Sequence, residues 1–250
     1  MRIIPRLDVK YPNVVKGVRL EGFRVVGNPI AISSRYEQDG ADEILYQDVV
    51  ASLYERNNIL EMVKDSANEL AIPLSVGGGL RSVDDVRTAL RFGADRVVLN
   101  TSAIKNPRII NDVVQVFGSQ GLVIGIESVS VGPKSWEALV NCGRDRTGLD
   151  VIEWAQEVEE KGAGELLITS VDRDGTYQGL DLDLLGAVRE KCSLPIVIHG
   201  GAKSVEDFRH AWDAGASGVA AASIFHHERL TINTLKGKLL DVGIPVRTSN

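Results

Sequence analysis

The sequence predicts a (β/α)8 barrel of the TIM type, an α/β fold assembled from two similar half-barrels. Three observations predict it. Eight short apolar runs each precede an amphipathic stretch, the pattern of a parallel sheet wound with helices. The second half of the chain repeats motifs of the first at one fixed offset. The length of 250 residues suits a single barrel, for which about 250 is typical.

The elements follow in order. Strand 3–9 is expected first, then helix 29–39. Strand 43–50 pairs with helix 59–70, and strand 74–76 with helix 83–92. Strand 96–100 leads to helix 107–117, and strand 122–127 to helix 149–161. Strand 165–171 precedes helix 181–191, strand 196–199 precedes helix 205–214, and strand 218–221 precedes helix 230–242. Ser82-Val83-Asp84-Asp85 and Ser204-Val205-Glu206-Asp207 read as capping boxes.

The repeat sets the architecture. Gly40-Ala41-Asp42-Glu43 answers Gly162-Ala163-Gly164-Glu165, and the stretch from Pro73 to Ala94 answers Pro195 to Ala216. Within the latter, Gly78, Gly79, Ser82, Val83, Asp85, Arg87, Ala89 and Gly93 recur unchanged. Two halves of about four βα units each, roughly 1–120 and 121–250, are therefore expected. A lone half-barrel leaves both sheet edges unpaired, and joining two halves removes them. No linker separates the halves, which disfavours two independent flavodoxin-like domains. A barrel puts function at the C-terminal ends of its strands.

Composition narrows the function. With 44% hydrophobic and 25% charged residues the chain is ordinary globular material. A net charge of −6 with no Lys/Arg block speaks against a nucleic-acid partner. No apolar run approaches the roughly 20 residues that span a bilayer, so no membrane partner is expected. Arg6 and Asp8 interrupt the first apolar stretch, which is unlike a signal peptide. Two cysteines, Cys142 and Cys192, form no framework and point to the reducing cytoplasm. The four histidines show no metal-ligand spacing, and no GxGxxG follows the first strand, so neither metal nor dinucleotide cofactor is expected. Cys142, in Asn141-Cys142-Gly143-Arg144, reads as incidental on a loop.

Two glycine turns carry the chemistry. Val76-Gly77-Gly78-Gly79 and His199-Gly200-Gly201-Ala202 each join a strand to a helix. Glycine lets backbone N–H groups approach an anion, and a helix N-terminus adds positive partial charge. The next strands end in Asn100-Thr101-Ser102 and Ala222-Ser223, which add short donors. Two phosphate cups imply a substrate with a phosphate at each end. Asp8 and Glu127 end the first and fifth strands, opposite one another on the upper rim, where paired carboxylates suit acid–base work. Asp48, Asp172 and Asp174 lie on other strand ends or the following loops. Arg2, Glu43, Arg96 and Glu165 open four strands and are expected to ring the lower mouth, as a structural plug or as a gate on a central passage.

Several longer motifs then carry a resemblance. They are Ile3-Ile4-Pro5 with Leu7-Asp8-Val9-Lys10, Val14-Val15-Lys16-Gly17, Val76-Gly77-Gly78-Gly79 and Phe117-Gly118-Ser119-Gln120. Gly162-Ala163-Gly164-Glu165, Asp172-Arg173-Asp174-Gly175-Thr176 and Ala221-Ala222-Ser223-Ile224-Phe225-His226 complete the set. Across nearly the whole chain this resembles the cyclase subunit of imidazole glycerol phosphate synthase.

The resemblance implies a barrel binding the bisphosphorylated formimino-aminoimidazole-carboxamide ribonucleotide. Ammonia from a separate glutaminase, docked on the lower face, passes through the barrel and condenses with the ketose carbonyl. Acid–base steps release aminoimidazole carboxamide ribonucleotide and close the imidazole ring. By resemblance Asp8 is one of two catalytic aspartates, and Lys16 a mobile-loop lysine on the substrate. Gly79, Asn100 and Thr101 match one phosphate site; Asp174, Gly175, Gly201 and Ser223 match the other. Asp48, His199 and Ala222 join the expected substrate contacts. Arg2, Glu43, Arg96 and Glu165 match the ammonia gate, and Asp95 a position at the glutaminase interface.

Departures cluster at the site. The second catalytic aspartate is replaced by Glu127. One methylene moves the carboxyl by roughly 1.5 Å, and misplacement by about 1 Å can cost on the order of a hundredfold. Arg6 replaces a small residue and shares strand parity with Asp8, so it should point inward and pair with Glu127, Asp48 or Asp8. His199 stands where serine is usual, either protonated to hold phosphate, with Lys203 nearby, or neutral and packed. These departures leave two alternatives beside the cyclase. One is a paralogue that amidates a surface-polysaccharide sugar with a glutaminase partner; the other is a non-catalytic barrel that scaffolds a glutaminase.

Overall fold

The structure is a computed structural model that describes residues 1–51 and 59–248. Strand β1 (Arg2–Lys10) runs into a hairpin, β2 (Asn13–Val18) and β3 (Glu21–Gly27), before α1 (Pro29–Gln38) and β4 (Ile44–Asp48). Then come α2 (Ile59–Glu69), β5 (Leu74–Gly77), α3 (Val83–Arg91), β6 (Arg96–Leu99), α4 (Thr101–Lys105) and α5 (Arg108–Phe117). The chain continues through β7 (Leu122–Gly132), a second hairpin of β8 (Ser135–Val140) and β9 (Asp145–Asp150), α6 (Val151–Glu160) and β10 (Glu165–Ser170). It ends with α7 (Leu182–Lys191), β11 (Ile196–His199), α8 (Val205–Asp213), β12 (Gly218–Ala221), α9 (Ser223–His226) and α10 (Ile232–Asp241).

Eight parallel strands close the barrel in the order β10-β11-β12-β1-β4-β5-β6-β7, with β7 pairing back to β10. Every expected strand and helix is present, most with ends shifted by one or two residues. The fifth strand is the exception: β7 passes Glu127 and runs on to Gly132, because β8 pairs with its extension. Both hairpins escape the sequence pattern, and the tip of the first shows why. The β2–β3 turn places Arg19 and Leu20 at φ of 55° and 58°, a conformation normally signalled by Gly or Asn.

Alternation along the strands builds two concentric cores. Outward residues such as Ile3, Leu7 and Val9 pack under the helices. Inward residues fill the axis: Ile4, Leu45, Val98, Val123, Leu167, Val197 and Ala220 form one apolar layer. On β5 the inward position is Ser75, which donates to Glu43 Oε1 at 2.6 Å. A third cluster, Val15, Leu20, Val49, Leu139, Cys142 and Val171, seats the two hairpins on the upper rim.

Both capping boxes form. Ser82 accepts from the Asp85 N–H while the Asp85 carboxylate takes the Ser82 N–H, and Ser204 with Asp207 does the same. Among the described residues no helix is long and apolar enough to cross a membrane.

Candidate active site

The strand order brings Asp8 and Glu127 face to face, since β1 and β7 stand on opposite sides of the closed circle. Asp8 is fully buried between two cations: Arg6 Nε donates to Oδ1 at 2.8 Å, and Lys16 Nζ to Oδ2 at 3.1 Å. Burial alone would raise its pKa. The Arg6 guanidinium and the Lys16 ammonium outweigh that and hold the carboxyl well below the usual carboxylate range. Asp8 is thus a fixed anion at neutral pH.

Glu127 is the opposite case. Its Oε2 accepts from Asn100 Nδ2 at 3.0 Å and from the Gly143 N–H at 2.8 Å. Burial dominates here and pushes the carboxyl up to about 7, against the lowering pull of Arg6. Two carboxyl groups whose environments drive their acidities apart are the arrangement expected of an acid–base pair.

Arg6 bonds to Asp8, the last named of its three expected partners, and to neither Glu127 nor Asp48 among the contacts of the described residues. The guanidinium is buried, and Nη1 also reaches Thr169 Oγ1 at 3.1 Å and His199 Nδ1 at 3.3 Å. His199 corrects the idea of a protonated phosphate ligand. It is 1% exposed, and burial together with Arg6 and Lys16 holds its pKa well below the ordinary value. The ring is neutral and packed, and Lys203 is exposed beside its loop.

Lys16 lies on β2 and links Asp8 to Asp174, whose carboxylate it meets at 2.7 and 2.9 Å. Asp174 in turn accepts from the Leu20 N–H, and its carbonyl takes the Arg19 N–H at 2.8 Å. The hairpin is therefore tied down over the barrel by its own turn.

The two glycine turns do build matching backbones. Gly78 and Gly200 sit at φ of 96° and 107°, and a Cβ on either would strike the carbonyl oxygen of Asp48 or Ser170 at 2.3 or 2.5 Å. Asn100 and Ala222, which open α4 and α9, share φ near −125° and ψ near −80°. The cavities above them differ. The first, about 260 Å³, is lined by Asp48, Gly79, Arg81, Asn100, Thr101, Lys105 and Glu127 among others. The second, lined by Asp174, Gly175, His199, Gly201, Ala222 and Ser223, holds only about 10 Å³, room for one water. It shares Gly175 and Ser223 with a wide groove of about 730 Å³ along the hairpin. Of the two expected cups, one is thus an open pocket and the other a narrow one.

Asp48 turns its carboxylate back to the N–H groups of Val50 and Ala51 at 2.9 and 2.8 Å, and burial raises its pKa. Cys142, expected on a loop, lines the open pocket beside Glu127 at a φ of 61°. Burial first, and then the Glu127 charge, push its thiol upward, so it is protonated and no nucleophile. Asn141 and Cys142 both take left-handed φ in this turn, and Cys142 packs with Leu20 and Leu139, which spacing alone does not reveal.

Below the apolar layer, Arg2, Glu43, Arg96 and Glu165 form a closed ring of ion pairs. Arg2 meets Glu43 at 3.1 Å and Glu165 at 2.5 Å; Arg96 meets Glu165 at 3.1 Å and also pairs with Glu43. A cavity of about 10 Å³ lies just above the ring, between Glu43, Glu165 and the apolar layer. Asp95, exposed at the start of β6, accepts from the Leu74 N–H at 2.8 Å on the same lower face.

Comparison with known proteins meets this geometry. A family model described as "Histidine biosynthesis protein" matches residues 2–231. The chain is 44% identical over 246 residues to the imidazole glycerol phosphate synthase subunit HisF of Thermococcus onnurineus (strain NA1), covering 98% of this chain and 97% of that one. It is 44% identical over 252 residues to the subunit of that name from Thermobifida fusca (strain YX), covering 99% and 98%. Over 208 residues it is 50% identical to the one from Legionella pneumophila, covering 83% of this chain and 98% of that one. With barrel, rim carboxylates and lower ring in place, the chain belongs to the histidine biosynthesis protein family.

Proposed function

We propose that this chain is the ammonia-dependent cyclase subunit of imidazole glycerol phosphate synthase. It converts the bisphosphorylated formimino-aminoimidazole-carboxamide ribonucleotide into imidazole glycerol phosphate and aminoimidazole carboxamide ribonucleotide. The observation that carries the reading is the pair Asp8 and Glu127, opposed across the barrel mouth with acidities driven apart. The likeness to HisF subunits over nearly the full length supports it against sugar amidation and against a scaffold.

The substrate lies across the upper rim. One phosphate enters the open pocket, where Gly79, Asn100, Thr101 and the start of α4 offer donors and Arg81 and Lys105 offer charge. The other end reaches Gly175, Gly201, Ala222 and Ser223 through the hairpin groove, with Lys16 released from Asp174 to meet it. Asp48 and Asp174 border the two ends. Asp8, always ionised, stabilises positive charge that develops on the incoming nitrogen. Glu127, near neutrality, gives and takes the proton.

Ammonia rises from below. The ring of Arg2, Glu43, Arg96 and Glu165 is its gate, and the apolar layer above is too dry to favour the ammonium ion. A glutaminase subunit docks on the lower face, with Asp95 at its edge. The two half-barrels, about 1–120 and 121–250, each supply one carboxylate and one glycine turn.

The test incubates the purified chain with the bisphosphorylated ribonucleotide and an ammonium salt. Release of aminoimidazole carboxamide ribonucleotide supports the cyclase. Failure there, with amidation of a nucleotide sugar when a glutaminase is added, replaces it with the sugar-modifying reading. Glutaminase binding without turnover of either substrate leaves a scaffold.

A further inference from the structure

Arg6 carries one feature that the acid–base pair does not use. Its Nη2 is buried and, among the described residues, has no hydrogen-bond partner. A buried charged donor left open is costly unless a ligand completes it.

The guanidinium fork explains which way that donor faces. The Nε–H and one Nη2–H lie parallel along one edge of the group and usually grip both oxygens of a carboxylate. Here Asp8 gives Oδ1 to Nε but turns Oδ2 to Lys16, so only one tooth of the fork is engaged. The other tooth stands beside Asp8. Nη1, on the far edge, is fixed by Thr169 and His199, which anchor the plane from β10 and β11. Arg6 also feels the fields of Asp174 and, more weakly, of Glu127. The open N–H is thus held beside Asp8 by three partners on two sides.

We propose that Arg6 is a further catalytic residue, whose Nη2–H donates to the reacting carbonyl oxygen of the substrate. This rests on the cyclase reading. The ammonia lone pair forms the new C–N bond, and the carbonyl π pair moves onto oxygen, where Arg6 stabilises the growing charge. Glu127 protonates that oxygen and takes a proton back from the new ammonium, which leaves a neutral carbinolamine and the starting Glu127. Asp8, locked as an anion, needs no proton at any point.

The experiment compares wild type, Arg6→Lys and Arg6→Ala in ammonia-dependent turnover of the bisphosphorylated ribonucleotide, with thermal melts on each. Arg6→Lys keeps a cation for Asp8 but loses the fork. It should lower kcat by about 10²-fold, the scale of one oxyanion donor, with KM moved less than about threefold. Arg6→Ala should fall at least as far and recover partly with added ethylguanidinium ion. In wild type, the ¹⁵N resonance of Arg6 Nη2 should shift when the substrate is added. A kcat within about threefold of wild type for Arg6→Lys overturns the proposal, as does an Nη2 signal unmoved at saturation. The readout on wild type holds even where Arg6→Ala does not fold. Wild type without turnover overturns the cyclase reading instead.

Discussion

The two glycine turns of this barrel share a backbone and differ in what fills them. Gly78 and Gly200 make the same close approach to a neighbouring strand, and α3 and α8 open on the same capping box. Two strand positions separate them. Where the first half has Gln47 and Gly77, the second has Thr169 and His199. The imidazole, braced by Arg6, and the Lys16–Asp174 pair close the second cup, while the first stays open around Arg81 and Lys105. A duplicated backbone thus preserves a place for an anion. The side chains at a few lumen positions decide whether that place is free.

The largest effect should come from the carboxylate on the closed side. Asp8→Asn removes the anion between Arg6 and Lys16, and ammonia-dependent turnover should fall by at least about 10³-fold in a steady-state product assay. Wild-type rates in that variant remove Asp8 from the mechanism.

Next comes the carboxyl on the open side. Glu127→Gln should lower kcat by about 10²-fold and abolish the decline in rate expected in wild type above a pH of about 7. The same residue marks stability. Its folded-state pKa lies above the ordinary glutamate value of 4.5, so the native state holds the proton longer than the unfolded chain. Stability then falls as pH rises from about 4.5 to about 7, by on the order of 2–3 kcal/mol. Denaturant melts of Glu127→Gln should lack that slope; an unchanged slope assigns it elsewhere.

The smallest contrast is the sharpest for the comparison itself. Gly78→Ala and Gly200→Ala meet the same clash at positive φ, so each should cost on the order of 3 kcal/mol, nearly equally. Costs that differ by more than about 1.5 kcal/mol would break the claim that the two backbones are equivalent.

Much of the scaffold was readable from the residues. Short continuous runs such as Ile196–His199 and Gly218–Ala221 matched their strands to the residue, because parallel barrel strands are buried on both faces. The ring was equally legible, since strand parity puts Arg2, Glu43, Arg96 and Glu165 at one level. The β2–β3 and β7–β8 turns were not, for Arg19, Leu20 and Lys134 adopt positive φ without being Gly or Asn. Nor was Cys142 in the pocket wall, because its turn is seated by packing against Leu20 and Leu139 rather than by local sequence.

Sequence alone determined the barrel, the two turns and the identity of the rim carboxylates, since each follows from periodicity, glycine and parity. Tertiary structure alone decided what those carboxylates are. Asp8 and Glu127 carry the same functional group, yet one faces Arg6 and Lys16 while the other is buried with Asn100 and Gly143 as donors. Acidity depends on neighbours distant along the chain, and those are fixed only when the strands close.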